Sequence, residues 1–233
     1  MQEKQMRTTS IDSVAAEQQR FMVRVYNYMV AGLGITGVMA FYISSSPVMH
    51  TFIKNPLLSL LPFLIAMGLV FWLGSRVMTM SVSQATGVFF LVAGLIGISL
   101  SILVLTYTST SLTTTFFVTA GTFGAMSFYG YTTKKDLTSW GSFLWMGFIG
   151  IFIAIIVNIF MQSPVMHFVI SCIGVLVFVG FTAYDTQKIK EMNILGNEGT
   201  DDDTKEAIRG ALVLYIDFIN LFQFLLSLMG DRR

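Results

Sequence analysis

The chain has 233 residues, 54% of them hydrophobic and 12% charged, with a net charge of +1. A soluble domain carries about 25% charged residues; at half that density, and with a mean hydropathy of +0.71, a water-facing surface cannot be covered. The small net charge excludes a global basic field for nucleic acid, and the single cysteine, Cys172, excludes an internal disulfide and a Cys/His metal cluster.

The N-terminal segment, 1–23, reads as a polar cytoplasmic tail, and 24–233 as a transmembrane domain. The apolar run after the tail is longer than a signal-peptide core and lacks a small-residue cleavage pattern, so it is expected to be an uncleaved first span. A helix needs about 20 apolar residues to cross a bilayer. Seven windows meet that need: 24–44, 57–75, 83–107, 112–132, 140–161, 165–186 and 207–229. The expectation is an all-α integral membrane protein of seven transmembrane helices with the last helix central.

Lysine and arginine placement sets the orientation. With the N-terminus in the cytoplasm, only Lys54, Arg232 and Arg233 of the 14 basic residues fall outside. A six-span alternative with a re-entrant last segment would bring Arg232 and Arg233 inside as well, and the length of the seventh run favours a full crossing.

Several local signals lie between and within the spans. "SPVMH" occurs at Ser46–His50 and again at Ser163–His167. It reads as a shared way of turning the chain at proline, or as paired histidines sensing external pH. "DTKE", Asp203–Glu206, has capping-box spacing, so Asp201, Asp202 and Asp203 read as a solvated loop and helix start. A calcium loop would need spaced oxygen ligands, a central glycine and a distal glutamate. Glycines at Gly32–Gly37, Gly121, Gly124, Gly147 and Gly150 read as sites of close helix approach.

Two acidic residues lie inside spans, Asp185 and Asp217. A carboxylate in lipid is costly and calls for a partner or a use. Asp217, Asn220, Gln223 and Ser227 step by three, three and four, within about 120° of arc at ~100° per residue. That polar stripe must face protein or water; it either lines a polar cavity or forms a network that locks the fold. Two neighbouring carboxyl groups titrate as a unit and can share a proton. They supply too few oxygens for a tight calcium cage, so Asp185 and Asp217 would at most form a weak calcium site. Arg76, at the end of the second span, is either a latch that pairs with one of them or an ordinary positive-inside anchor.

Three stretches resemble the Bax inhibitor-1 (transmembrane Bax inhibitor motif) family, bacterial branch: "TAGTFGAMSFYGYTTKKDLTSWGSFL" at Thr119–Leu144, "AYDTQKI" at Ala183–Ile189 and "LYIDFINLF" at Leu214–Phe222. The resemblance covers most of the chain after the tail and implies seven spans with the last one central. It further implies a pH-sensitive calcium leak sensed by the aspartates at Asp185 and Asp217, with a basic latch on the second span for which Arg76 is the candidate. Calcium is then permeant ion or weak ligand, with no cofactor and no enzyme activity. The expected location is a bacterial inner membrane, N-terminus in the cytoplasm and C-terminus outside. The family's link to cell-death suppression has no pathway to act on in a bacterium.

Two other readings stand beside this one. Some bacterial relatives are linked to a membrane-anchored AAA protease, so the chain can be read as a membrane regulatory protein with its tail as the handle. An intramembrane aspartyl protease would also use two carboxyl groups. Leu214, Tyr215 and Ile216 stand where that family has Gly-x-Gly, and no proline follows Pro164 to supply its Pro-Ala-Leu motif.

Overall fold

A computed structural model describes residues 2–194 and 196–233, with side chains described for 14–55, 57–194 and 196–233. Among the described residues eight α-helices follow one another: α1 (Gln2–Ser44), α2 (Pro47–Lys54), α3 (Pro56–Arg76), α4 (Val82–Thr106), α5 (Ser109–Thr132), α6 (Thr138–Met161), α7 (Pro164–Met192) and α8 (Asp201–Met229). Among the described residues there is no strand, only an isolated bridge between Tyr107 and Arg232.

Among the described residues six helices are long and apolar enough to cross a membrane: α1 from Val14, a segment over Leu57–Thr79, α4, α6, α7 and α8. The fourth predicted span corresponds to α5, which is long enough but falls short in apolarity. Its sequence, STSLTTTFFVTAGTFGAMSFYGYT, is rich in Ser, Thr and Gly. Six of the seven expected spans therefore meet this measure among the described residues. The first helix is continuous through Arg20 and Arg24, and its apolar candidate segment is Val14–Ser44. Exposed Leu57, Phe71, Phe160, Val165 and Leu176 clothe α3, α6 and α7 in apolar side chains, the composition of a lipid-facing surface.

The helix ends follow from local chemistry. The "SPVMH" repeats share a use: Pro47 and Pro164 each open a helix, where a missing N–H costs nothing. Ser163 Oγ accepts the Met166 amide at 3.3 Å, while Ser46 makes no side-chain cap. Before α4, Ser81 Oγ accepts the Gln84 amide (3.3 Å) and Gln84 Oε1 accepts the Ser81 amide (3.1 Å), a reciprocal capping box. Thr108 caps α5 through Ser111 N. Gln162 ends α6 in the left-handed region at φ 50°.

The chain divides into two compact units. The first comprises Met1–Leu100 and Ile189–Val213, the second Ser101–Lys188 and Leu214–Arg233. In the first, Thr36 Oγ1 on α1 donates to the Ala93 carbonyl of α4 at 2.9 Å, and Gly97 allows that approach, since a Cβ there would strike Thr36 backbone. Phe21, Val25, Ala207, Ile208 and Ala211 are fully buried.

In the second unit, Phe148 and Phe181 on α6 and α7 gather with Phe178, which stacks on Phe224 of α8 at 5.7 Å between centroids. Gly174 lies under Phe224, and Gly130 lies against the Ala183 carbonyl. Of the glycines expected to mediate packing, Gly147 meets Val177, whereas a Cβ at Gly34, Gly37, Gly121, Gly124 or Gly150 would meet nothing within 4 Å. Close approach is set by whether a glycine lands on a helix–helix crossing, which density of glycine in the sequence does not reveal.

Candidate functional site

Asp185 and Asp217 both belong to the second unit, on α7 and α8. Their carboxyl groups lie near enough to act on one another. Asp217 is 5% exposed and Asp185 half-buried. Asp217 Oδ2 finds no donor among the described residues. Lys188, one turn beyond Asp185, sits over the Tyr184 ring at 5.6 Å and is the cation whose charge acts on Asp185.

The surroundings of the pair are built by hydroxyls and an amide. Thr182 and Thr186 each donate to the carbonyl four residues back, at 2.7 Å, and Ser127 of α5 meets Thr186 at 2.8 Å. Gln187 is a clamp that the sequence reading did not single out. Its Oε1 accepts the Leu137 amide at 2.8 Å and its Nε2 donates to the Lys135 carbonyl at 2.9 Å. The α5–α6 connection is thereby fastened to α7 two residues from Asp185. The signal available in the sequence was a glutamine beside an aspartate near the end of an apolar run.

The α8 stripe divides in function. Asn220 Nδ2 donates to its own helix at the Ile216 carbonyl (2.8 Å). Ser227 Oγ meets both Ser171 Oγ and His167 Nε2 at 2.8 Å. Gln223 is half-buried. The stripe thus faces α7 at two levels, the aspartate pair and the Ser227 contacts. Arg76 is exposed in the last turn of α3 and belongs to the first unit. Among the described residues the ion pairs are Arg20–Glu198, Arg24–Asp203 and Lys205–Asp202, none of which includes Arg76. No group of three or more His, Cys, Asp or Glu side chains among the described residues could hold a metal ion. An open cavity of about 680 Å³, lined by Gly37, Phe41, Tyr42 and Pro47, lies at α1 and α2 in the first unit.

The start of α8 departs from expectation. The helix begins at Asp201, not at Asp203. Thr200 is the cap: its Oγ1 accepts the Asp203 amide (3.2 Å), while Asp203 Oδ2 accepts the Gly199 amide (2.8 Å). Asp203, read as solvated, is 0% exposed and pairs with Arg24 of α1 at 2.6 Å. A capping motif one turn earlier, Thr200 to Asp203, takes precedence because it places Asp203 inward against a cation.

The family model "Inhibitor of apoptosis-promoting Bax1" matches residues 18–233. The chain belongs to the Bax inhibitor-1 family. Inner membrane protein YbhL of Escherichia coli (strain K12) is 42% identical, over 97% of this chain and 98% of that one. The protein RP147 of Rickettsia prowazekii is 44% identical, over 99% and 98%. A Borreliella burgdorferi protein is 41% identical over 93% and 94%. Within this Bax inhibitor-1 family chain, the three stretches that carried the resemblance belong to the second unit, except for Ile189 at the end of the second stretch. Ser127, Gln187 and Leu137 join the first to the second, and the aspartate pair joins the second to the third.

Proposed function

We propose that this protein is a pH-sensitive cation leak, with calcium as the permeant ion, in a bacterial inner membrane. The observation that carries the reading is that Asp185 and Asp217, on neighbouring apolar helices, are near enough for each carboxyl group to act on the other. Such a pair changes charge on gaining or losing a single proton, within a setting where charge is costly. Arg76, in the last turn of α3, is the latch candidate, and protonation of the aspartates is the opening event. Flux then rises as pH falls. The polar stripe of Asn220, Gln223 and Ser227 continues the path along α8.

The proposed topology has seven crossings, N-terminus in the cytoplasm and C-terminus outside. α5 supplies the seventh: Ser111 at one end bonds the amide of Asp231, and Ser127 near the other end meets α7 beside the aspartate pair. A helix whose ends reach both levels runs the length of the second unit.

Reconstituted protein in calcium-free, dye-loaded liposomes tests the reading. Asp217→Asn and Asp185→Asn should each flatten the pH dependence of calcium entry, and Arg76→Gln should abolish closure at high pH. Unchanged flux and pH response in Asp217→Asn overturns it.

The length of α1 favours a second role. Its 43 residues extend to roughly 65 Å at 1.5 Å per residue, against a hydrocarbon core of about 30 Å. The excess is a handle for a membrane-anchored AAA protease. Deleting 1–13 should abolish co-purification with that protease and leave calcium flux intact; retained binding removes this role.

A further inference from the structure

The buried face of α5 is a line of hydroxyls broken by one ring: Ser111, Thr115, Thr119, Phe123 and Ser127, with Gly130 beyond. Successive members are four apart, so they share one side of the helix. The ends of the line are engaged. Ser111 Oγ accepts the Asp231 amide, and Ser127 meets Thr186 next to Asp185. Thr119 turns its hydroxyl onto the Thr115 carbonyl at 2.7 Å. Thr115 is different: it is 0% exposed and its Oγ1 has no hydrogen-bonding partner. Burying a hydroxyl without a partner costs free energy that a methyl group would not. A second buried atom in the same unit, Asp217 Oδ2, likewise lacks a donor.

Phe218 follows Asp217 on α8. Its ring packs edge-on against Phe116 and Phe123, at 5.7 and 5.5 Å between centroids. Those two rings flank Thr119 on α5, so Phe218 covers the hydroxyl line at that level. Beyond it, toward Ser111 and the C-terminal tail, the buried residues of α5 are the two hydroxyl side chains Thr115 and Ser111.

We propose that Ser111, Thr115 and Thr119 line a hydrated path leading to the aspartate pair, and that Phe218 is the apolar plug between path and pair. Hydroxyl oxygens are hard donors that replace hydration water around a calcium ion. An aromatic constriction blocks ions by excluding water and opens when its ring moves. Because Phe218 adjoins Asp217 on the same helix turn, a shift of the aspartate on changing its proton moves the plug as well. The path rests on the leak reading above and assigns it a lining and a gate.

Two measurements decide the matter, one of which needs no flux. Thr115→Cys is made in a Cys172→Ala background, where it is the only thiol. In sealed vesicles it should react with a water-soluble methanethiosulfonate reagent, because the path holds water; a thiol that stays unreactive overturns the proposal. In calcium-loaded liposomes, Thr115→Val should lower flux by roughly five- to tenfold, the factor one hydroxyl hydrogen bond is worth in a barrier, and Thr115→Ser should retain it. Thr115→Val keeps the shape of the side chain, so a folding defect is not expected, and an unchanged melting temperature verifies this. Phe218→Ala should raise flux. Parental flux in both Thr115→Val and Phe218→Ala overturns the assignment of lining and gate. A parent protein that passes no calcium removes the leak reading itself, and the thiol labelling then decides the hydrated path separately.

Discussion

Arg24 on α1 and Asp203 in the first turn of α8 form an ion pair at 2.6 Å in which the aspartate side chain is 1% and the arginine side chain 31% exposed. Asp203 also holds the Gly199 amide, and Thr200 caps the same turn. Removing one member leaves the other buried and unpaired, which costs about 3 kcal/mol. Asp203→Ala should therefore lower thermal stability strongly, whereas the double variant Arg24→Met/Asp203→Leu should recover much of the loss. Thermal denaturation in detergent, followed by intrinsic fluorescence, measures both.

Gly130 lies directly against the Ala183 carbonyl, and a Cβ there would collide with backbone that cannot rotate away. Gly130→Ala should force α5 and α7 apart at a cost of about 1–3 kcal/mol. Gly121→Ala, where a Cβ meets nothing within 4 Å, should be tolerated. Comparing the two melting temperatures isolates the crossing from the general effect of removing a glycine.

Gln187 satisfies the buried Leu137 amide and the Lys135 carbonyl together. Gln187→Leu leaves both groups unpaired and should cost about 1–3 kcal/mol per buried group left without a partner. Hydrogen exchange at the Leu137 amide should accelerate in this variant while exchange in α6 stays slow. Unaltered exchange at Leu137 would show that the clamp does not hold the connection.

Glu198, in the connection before α8, accepts two bonds from Arg20, at 2.5 and 2.8 Å. The Arg20 guanidinium, through its hydrogen bond first and its charge second, holds the Glu198 carboxyl below the ordinary glutamate range. A carboxyl depressed in the folded state contributes stability above its unfolded value, about 4.3, and loses it as pH falls through the folded value. Arg20→Gln should raise the Glu198 midpoint toward the ordinary value, read from the pH titration of its side-chain carbon signal. Both groups face water, so the effect should weaken in high salt.

The spans were legible because a bilayer asks for one property, an apolar run of fixed length, that a sequence displays without reference to contacts. Six windows match helices that are apolar enough to cross. α5 falls short since Ser, Thr and Gly on both its buried and its exposed sides lower the average. Asp185 and Asp217 stood out for the same reason: an acid in an apolar run is anomalous on its own. Asp203 did not stand out, because three consecutive aspartates near a turn read as solvated.

Composition, span lengths and the two intramembrane aspartates were determined by the sequence alone, since each depends on the transfer of single residues from water. Which polar groups meet was decided only by the tertiary structure. Helix crossings bring Asp203 to Arg24, Gln187 to Leu137, and Ser227 to His167 across separations of 50 residues or more. They also leave Thr115 and Asp217 buried with an atom each unsatisfied. Hydrogen bonding is short-ranged and directional, so its pattern follows from the angle and depth at which helices cross, and no residue carries that information by itself.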